Sequence, residues 1–199
     1  MSEFAEELPV VNSVCRWLSV LSALVNIVFG AFLGGLASAL GGVAAGYRGG
    51  LLAAGIVMAY VVGDFASRRL SLTWPQLAVS ALLGAVFGLV ASVGIVALGL
   101  VAPFVEFNTV QTGMSVFWIC AAYGMATNFA FRLALIKGYG GLRRFLLVFL
   151  AVFAVHLFRF GWMGASDMLW WYLSAVNSLP FAVAVILPMQ LYGLLERRD

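Results

Sequence analysis

Charged side chains are scarce in this sequence: Asp, Glu, Lys and Arg together make up only 10% of its 199 residues. A soluble domain usually carries about 25% of these residues, so the composition excludes a water-exposed surface of this size. Hydrophobic residues make up 64% of the chain, and they fall in long apolar stretches with short connections between them. We therefore expect a single all-α membrane domain rather than several globular domains.

Reactive side chains are also few. The chain has one histidine and two cysteines, and Cys15 and Cys120 are too far apart to form a CxxC pair. So few ligands predict no disulfide, no metal site and no haem. The patterns GxxxxGK[ST], HExxH and GxSxG are absent. We therefore expect a chain that is not an enzyme, holds no cofactor and does not itself hydrolyse nucleotides.

Six stretches are long enough to cross a hydrocarbon core of about 30 Å, which takes roughly 20 apolar residues of helix. The predicted spans are residues 17–46, 50–66, 76–103, 113–136, 144–161 and 169–195. The resulting organisation is an N-terminal segment 1–16, a six-helix transmembrane domain 17–195 and a tail 196–199. The first span is long, so it either breaks near Gly34-Gly35 or continues into a tight hairpin at Arg48.

The basic residues predict the orientation of these spans. With a cytoplasmic N-terminus, nine of the eleven Lys and Arg residues fall on the inner side, and only Arg48 and Arg159 fall outside. The nine are Arg16, Arg68, Arg69, Arg132, Lys137, Arg143, Arg144, Arg197 and Arg198. Since Lys and Arg near span ends favour the cytoplasmic side, we expect both termini in the cytoplasm and the protein in the cell membrane. The bases are dispersed along this edge, which indicates the lipid bilayer rather than nucleic acid as their partner.

Small residues recur every four positions in the first span. They are Gly30, Gly34, Ser38, Gly42 and Gly46. Gly84, Gly88 and Ser92 repeat the spacing in the third span. Such spacing lets helix backbones approach closely in lipid. Two interpretations stay open: internal packing of the bundle, or a docking face for a partner protein or a second copy of the chain.

Polar and aromatic residues gather late in the fifth span and early in the sixth. His156 and Arg159 are three residues apart and share a helix face, Trp162 and Trp170 flank the connection, and Asn177 follows. Polar side chains inside a bilayer are functional candidates, and this set suits a small, partly flat, polar or anionic organic ligand. The alternative is an interfacial aromatic belt, with Arg159 reaching lipid phosphate and Asn177 bonding a neighbouring helix.

Two charged residues near the inner edge have simpler expected roles. Arg132 is close enough to the cytoplasmic end of the fourth span to extend its head group to the membrane surface. Asp64 lies beside Arg68 and Arg69 and is expected to pair with them. Neither prediction requires a site at this end.

Residues 152–192, VFAVHLFRFGWMGASDMLWWYLSAVNSLPFAVAVILPMQLY, resemble the fifth and sixth helices of the thiamine-type S components of energy-coupling factor vitamin transporters. Those proteins have a histidine and a glycine late in the fifth helix, aromatic residues in the loop and an asparagine early in the sixth. The matching positions are His156, Gly161, Trp162, Trp170 and Asn177. The resemblance implies a single six-helix domain with cytoplasmic termini and an outward-facing ligand pocket. It also implies a first helix whose small residues dock a transmembrane coupling subunit.

The leading hypothesis is therefore a substrate-capturing subunit for a small water-soluble organic molecule, a vitamin or precursor, that works with an ATPase module. Its expected pocket residues are His156, Arg159, Trp162, Trp170 and Asn177. Two alternatives from other classes remain. One is a non-catalytic scaffold or assembly subunit that uses the glycine faces as interfaces, and the other is an oligomeric channel lined by polar stripes of the first and fourth spans.

Overall fold

The described part of the chain folds into six long α-helices. The computed structural model describes the backbone of residues 7–40, 46–101, 110–162 and 168–195, and the side chains of 17–40, 46–98, 116–158, 171–172 and 174–195. The helices are α1 (Glu7–Leu40), α2 (Tyr47–Ser67), α3 (Thr73–Val101), α4 (Val110–Ile136), α5 (Gly141–Trp162) and α6 (Met168–Leu195). Each contains a stretch long and apolar enough to cross a membrane.

Each helix runs antiparallel to the one before it. Between α1 and α2, for example, Gly30 faces Val57 whereas Gly34 faces Ala53, so positions rise on one helix as they fall on the other. The helix α6 also packs against α1 and closes the bundle. The start of α1 and the end of α6 therefore lie at the same end as the α2–α3 and α4–α5 turns. We call this the basic end, since its residues include Arg68, Arg69, Arg132, Lys137, Arg143 and Arg144.

The helices α2, α4 and α6 form the interior of the bundle. Half of the apolar stretch of each is buried, against 22% for α1, 28% for α3 and 17% for α5. Fully buried apolar side chains from these helices include Ile56, Val57, Phe131 and Val185. The outer surface is also apolar, as the exposed side chains Phe32, Leu82 and Phe158 illustrate. An apolar exterior around helices that satisfy their own backbone hydrogen bonds is the structure of a multi-pass membrane protein.

Glycines bring three pairs of neighbouring helices into backbone contact. A Cβ atom on Gly34 would overlap the Cβ of Ala53 and the carbonyl oxygen of Gly49, and one on Gly84 would overlap the carbonyl oxygen of Gly124. Between α2 and α3, a Cβ on Gly55 would lie 2.8 Å from the carbonyl oxygen of Phe87. Without a hydrophobic driving force in lipid, such close approach supplies the dispersion contacts that hold helices together.

The small-residue faces predicted from the sequence are thus occupied within the chain. Gly30, Gly34 and Ser38 of α1 lie against α2, and Gly46 approaches the carbonyl oxygen of Gly35. On α3, Gly84 and Gly88 meet α4. These contacts are the internal packing that the first of the two interpretations describes. The remaining member of the predicted series, Gly42, lies outside the described residues.

Five of the six predicted spans agree with the observed helices to within three residues at both ends. The first differs: α1 is helical from Glu7 to Leu40, whereas the predicted span is 17–46. The helix continues through Gly34-Gly35 without a break, and Arg48 lies in the first turn of α2. Small residues of α2, Gly49 and Ala53, lie against Gly34 at this point of α1.

Alanine substitutions at two adjacent glycines test this packing. Gly34→Ala should lower thermal stability, because overpacking against Ala53 and the Gly49 backbone costs about 1–3 kcal/mol. In Gly35→Ala the new methyl group would lie 3.4 Å from its nearest neighbour, the carbonyl oxygen of Gly46. That variant should be neutral or slightly stabilising, since Ala has the higher helix propensity. Thermal denaturation of both variants in detergent makes the comparison, and equal melting temperatures would contradict the assigned contact.

Candidate functional site

A buried histidine and serine join α5 to α6. The ring of His156 is only 9% exposed, and its Nδ1 lies 3.0 Å from Oγ of Ser178 and 3.2 Å from the carbonyl oxygen of Val152. Ser178 is fully buried. Buried polar groups are costly unless they are hydrogen-bonded. In this pair, the ring nitrogen of His156 on α5 and the hydroxyl of Ser178 on α6 are hydrogen-bonding partners of each other.

The hydrogen-bond pattern places a proton on Nδ1 of His156. The hydroxyl of Ser178 donates to the carbonyl oxygen of Ser174 at 2.6 Å, so its oxygen accepts from His156. A carbonyl oxygen is the second neighbour of Nδ1, and a carbonyl can only accept. Nδ1 therefore carries a proton, which it shares between these two oxygens.

Aromatic side chains from α4 and α6 extend from this histidine. The ring of Tyr123 meets the imidazole edge to face, with centroids 5.1 Å apart, and the ring of Phe181 is 5.7 Å from that of Tyr123. Ser174, one turn before Ser178, is also fully buried. Three helices thus contribute a hydroxyl-bearing or aromatic group to one place. We call His156, Ser178, Ser174, Tyr123 and Phe181 the histidine cluster.

Two of the predicted site residues, His156 and Asn177, have described side chains. His156 is the centre of the histidine cluster, and Asn177 lies on α6 beside Ser178, half-buried. Trp171 of α6, which neighbours the predicted Trp170, packs against Phe153 at 6.2 Å. The side chains of Arg159, Trp162 and Trp170 lie outside the described residues, so their predicted role stays a prediction.

Ser178 and Tyr123 were not among the site residues predicted from the sequence. For Ser178 a local signal exists, because it follows Ser174 by four residues and so shares its face of α6. For Tyr123 the sequence offers no such signal, since it lies on α4, and only the packing of α4 against α5 brings it to His156.

A second polar cluster ties α2, α3 and α4 together at the basic end. Arg132 donates from Nη1 to Asp64 at 3.2 Å and from Nε to the hydroxyl of Ser80 at 3.2 Å. Arg68 shares the same carboxylate at 3.1 Å. The guanidinium of Arg132 also lies over the ring of Tyr60, 5.8 Å from its centroid. The carboxylate of Asp64 therefore pairs with two arginines, the buried Arg132 and the exposed Arg68.

This geometry corrects two expectations. Arg132 does not extend to the membrane surface: it is 7% exposed, and its guanidinium turns inward to Asp64. Asp64 pairs with Arg68 as expected, but its other described partner is Arg132 rather than Arg69. The parallel packing of α2 and α4 brings the carboxylate of Asp64 within reach of Arg132. The guanidinium of Arg132 therefore forms an internal ion pair instead of extending into solvent.

An asparagine makes a further link in the middle of the bundle. Asn128, 1% exposed, donates through Nδ2 to the carbonyl oxygens of Ile56 at 3.2 Å and of Gly124 at 3.0 Å. A side-chain amide that bonds the backbone of another helix stabilises helix association in lipid. The position of α4 against α2 is thus fixed at two places, by Asn128 in the middle of the bundle and by Arg132 at the basic end.

The described residues contain no group of three His, Cys, Asp or Glu side chains that could hold a metal ion. No protein-family model matches this sequence, and no curated protein or solved structure shows significant similarity to it.

Removal of one partner of the ion pair tests the second cluster. Asp64→Ala should destabilise the protein by about 3 kcal/mol, since it leaves Arg132 as an uncompensated buried charge. The double variant Asp64→Ala/Arg132→Met should recover part of this loss. The exposed Arg69→Gln at the same end should change stability by less than about 0.5 kcal/mol. Unfolding by a denaturing detergent measures all three, and a double variant no better than Asp64→Ala would refute the pairing.

Proposed function

We propose that this protein is the substrate-capturing subunit of a membrane transport system for a small water-soluble organic molecule, a vitamin or precursor, that works with an ATPase module. The observation that carries the proposal is the buried histidine cluster between α4, α5 and α6. In this cluster, hydrogen-bonding and aromatic side chains from three helices meet in the half of the bundle away from the basic end.

The chemistry of this cluster matches a small, flat, polar ligand. The imidazole of His156, the hydroxyl of Ser178 and the ring of Tyr123 bring a ring nitrogen, a hydroxyl and an aromatic face together in one place. Ligand sites between the helices of a bundle combine apolar walls with a few such polar groups. Polar side chains inside a bilayer are candidates for a functional role, because each is costly to bury.

The depth of the cluster suits capture from the side opposite the basic end. His156 is fifteen residues beyond Gly141, the first residue of α5, which places it about 22 Å from that end at 1.5 Å per residue. Ser178 is ten residues beyond Met168, the first residue of α6, or about 15 Å from the other end. In the proposed orientation the basic end is cytoplasmic, and the cluster lies in the outer half.

The outer end of the proposed site comprises the residues predicted around the α5–α6 connection. Arg159, Trp162 and Trp170 would contact the parts of a ligand that face outward, and Asn177 would contact it beside Ser178. A cation and indole rings at this position favour an anionic or aromatic ligand. The resemblance of residues 152–192 to S components supports the same class.

The two alternative functions receive less support from the geometry. A scaffold that docks partners through its glycine faces needs those faces open, whereas α2 covers the α1 face and α4 covers the α3 face. An oligomeric channel needs the α4 polar stripe at the surface, whereas Thr127 and Asn128 are at most 1% exposed.

The proposed orientation predicts a labelling pattern. In a variant without native cysteines, a cysteine at Gly140 at the basic end should react with a membrane-impermeant maleimide only after lysis. A cysteine within residues 163–167 should react in intact cells, because the positive-inside rule places that connection outside. The reverse pattern would contradict the orientation.

Ligand binding tests the proposed function directly. Among vitamins and their precursors, at least one compound should raise the melting temperature of the purified protein, since a ligand stabilises the state it binds. His156→Ala and Ser178→Ala should each weaken its binding about fivefold or more, the equivalent of one lost hydrogen bond. The matched control is Leu150→Ala, an exposed position on the same helix, which should bind normally. A complete library without any stabilising compound would refute the proposal.

A further inference from the structure

The helix α5 is held along most of its length by apolar side chains alone. Its buried residues include Val148, Val152 and Val155, and none of the described glycines brings the backbone of α5 against another helix. Apolar contacts add little stability in lipid, because a side chain that leaves the protein interior enters an equally apolar solvent. The firm attachments of α5 are therefore the polar contacts at two levels of the helix.

The first attachment is at the start of α5, at the basic end. The guanidinium of Arg144 lies over the ring of Phe131 on α4, 5.6 Å from its centroid. It also donates from Nη2 to the carbonyl oxygen of Tyr139, in the α4–α5 turn, at 3.1 Å. These contacts fix the first turn of α5 against the end of α4.

Two exposed glycines lie directly before and at the start of α5. The end of α4 is closed as far as Tyr139, whose N–H donates to the carbonyl oxygen of Ala134 at 2.9 Å, with Gly138 at a φ of 64°. Gly140 and Gly141 follow, and a Cβ atom on either would meet nothing within 4 Å. Packing therefore does not require glycine here, whereas the backbone freedom of two glycines lets α5 change its direction.

The second attachment is the hydrogen bond from His156 on α5 to Ser178 on α6, at 3.0 Å. His156 is fifteen residues beyond Gly141, about 22 Å from the glycine pair at 1.5 Å per residue. A tilt of about 10° at the glycines would therefore move the imidazole by about 4 Å. Such a displacement exceeds the range of a hydrogen bond, so α5 cannot tilt this far while the His156–Ser178 bond is intact.

We propose that α5 is a hinged gate at the histidine cluster, with Gly140 and Gly141 as the hinge and the His156–Ser178 hydrogen bond as the latch that holds the gate closed. Because the hinge is at the basic end, the opposite end of α5 moves farthest. Opening withdraws His156 from Ser178 and Tyr123 and exposes the buried hydroxyl of Ser178. The role of the gate in ligand entry rests on the proposed function, whereas the movement itself does not.

Distances between spin labels test the latch. Labels attached through Ala154→Cys on α5 and Phe32→Cys on α1, both exposed positions, report the position of α5 in a background without native cysteines. Ser178→Ala should add a population displaced by about 4 Å or more, the movement expected for a tilt of about 10°. The matched control is Ser80→Ala, which removes the buried hydroxyl that Arg132 bonds on α3 and should leave this distance unchanged.

Removal of the other half of the latch provides a second variant. His156→Leu should produce the same displaced population as Ser178→Ala, because either change removes the hydrogen bond. A reference pair, Trp118→Cys on α4 with Phe32→Cys, should keep its distance in both variants. An unchanged α5 distance in both latch variants, or an equal displacement of the reference pair, would overturn the latch.

The hinge is tested by alanine at both glycines. Neither has a positive φ and neither Cβ would meet a neighbour, so Gly140→Ala/Gly141→Ala should fold normally and restrict the backbone. Added to Ser178→Ala, it should shrink the displaced population at least twofold. An undiminished population would overturn the hinge. No ligand is present in these measurements, so a protein that binds no vitamin can still show the movement, and ligand binding without the movement would overturn the gate alone.

Discussion

The close approach of helix backbones at glycine is the contact on which the rest of this bundle depends. Apolar side chains gain little by leaving lipid for a protein interior, so helices must be held by near contact and by hydrogen bonds. Gly34 against α2, Gly55 against α3 and Gly84 against Gly124 supply that contact in three successive pairs. With α1 to α4 this close together, α2 and α4 become interior helices, and their polar side chains can reach one another.

The buried polar groups follow from that geometry. Because α2 and α4 run parallel inside the bundle, Asn128 reaches the Ile56 carbonyl and Arg132 reaches Asp64. Both links would be lost if the helices were a few ångströms farther apart, since hydrogen bonds weaken steeply beyond about 3.2 Å. The histidine cluster is held differently, by the direct pairing of His156 with Ser178 across the α5–α6 hairpin.

The sequence predicted the elements well because a membrane span has a single dominant signal, an apolar run of sufficient length. It also identified His156 as unusual, because polar residues inside such runs are few. It did not predict Tyr123 or Ser178 as its neighbours, nor Asp64 as the partner of Arg132, because these contacts join residues up to 68 positions apart. Periodicity orders residues on one helix, but it does not determine which face meets which neighbour.

The distribution of these links also indicates which helices can move. The helix α4 is fixed by the Gly84–Gly124 contact, by Asn128 and by Arg132. The helix α5 is the least buried, at 17% of its apolar stretch, and the described interhelical hydrogen bonds include only the His156–Ser178 link for it. Elements with fewer contacts open at lower free energy. In the proposed function, a ligand that enters the histidine cluster would therefore displace α5 more easily than α4.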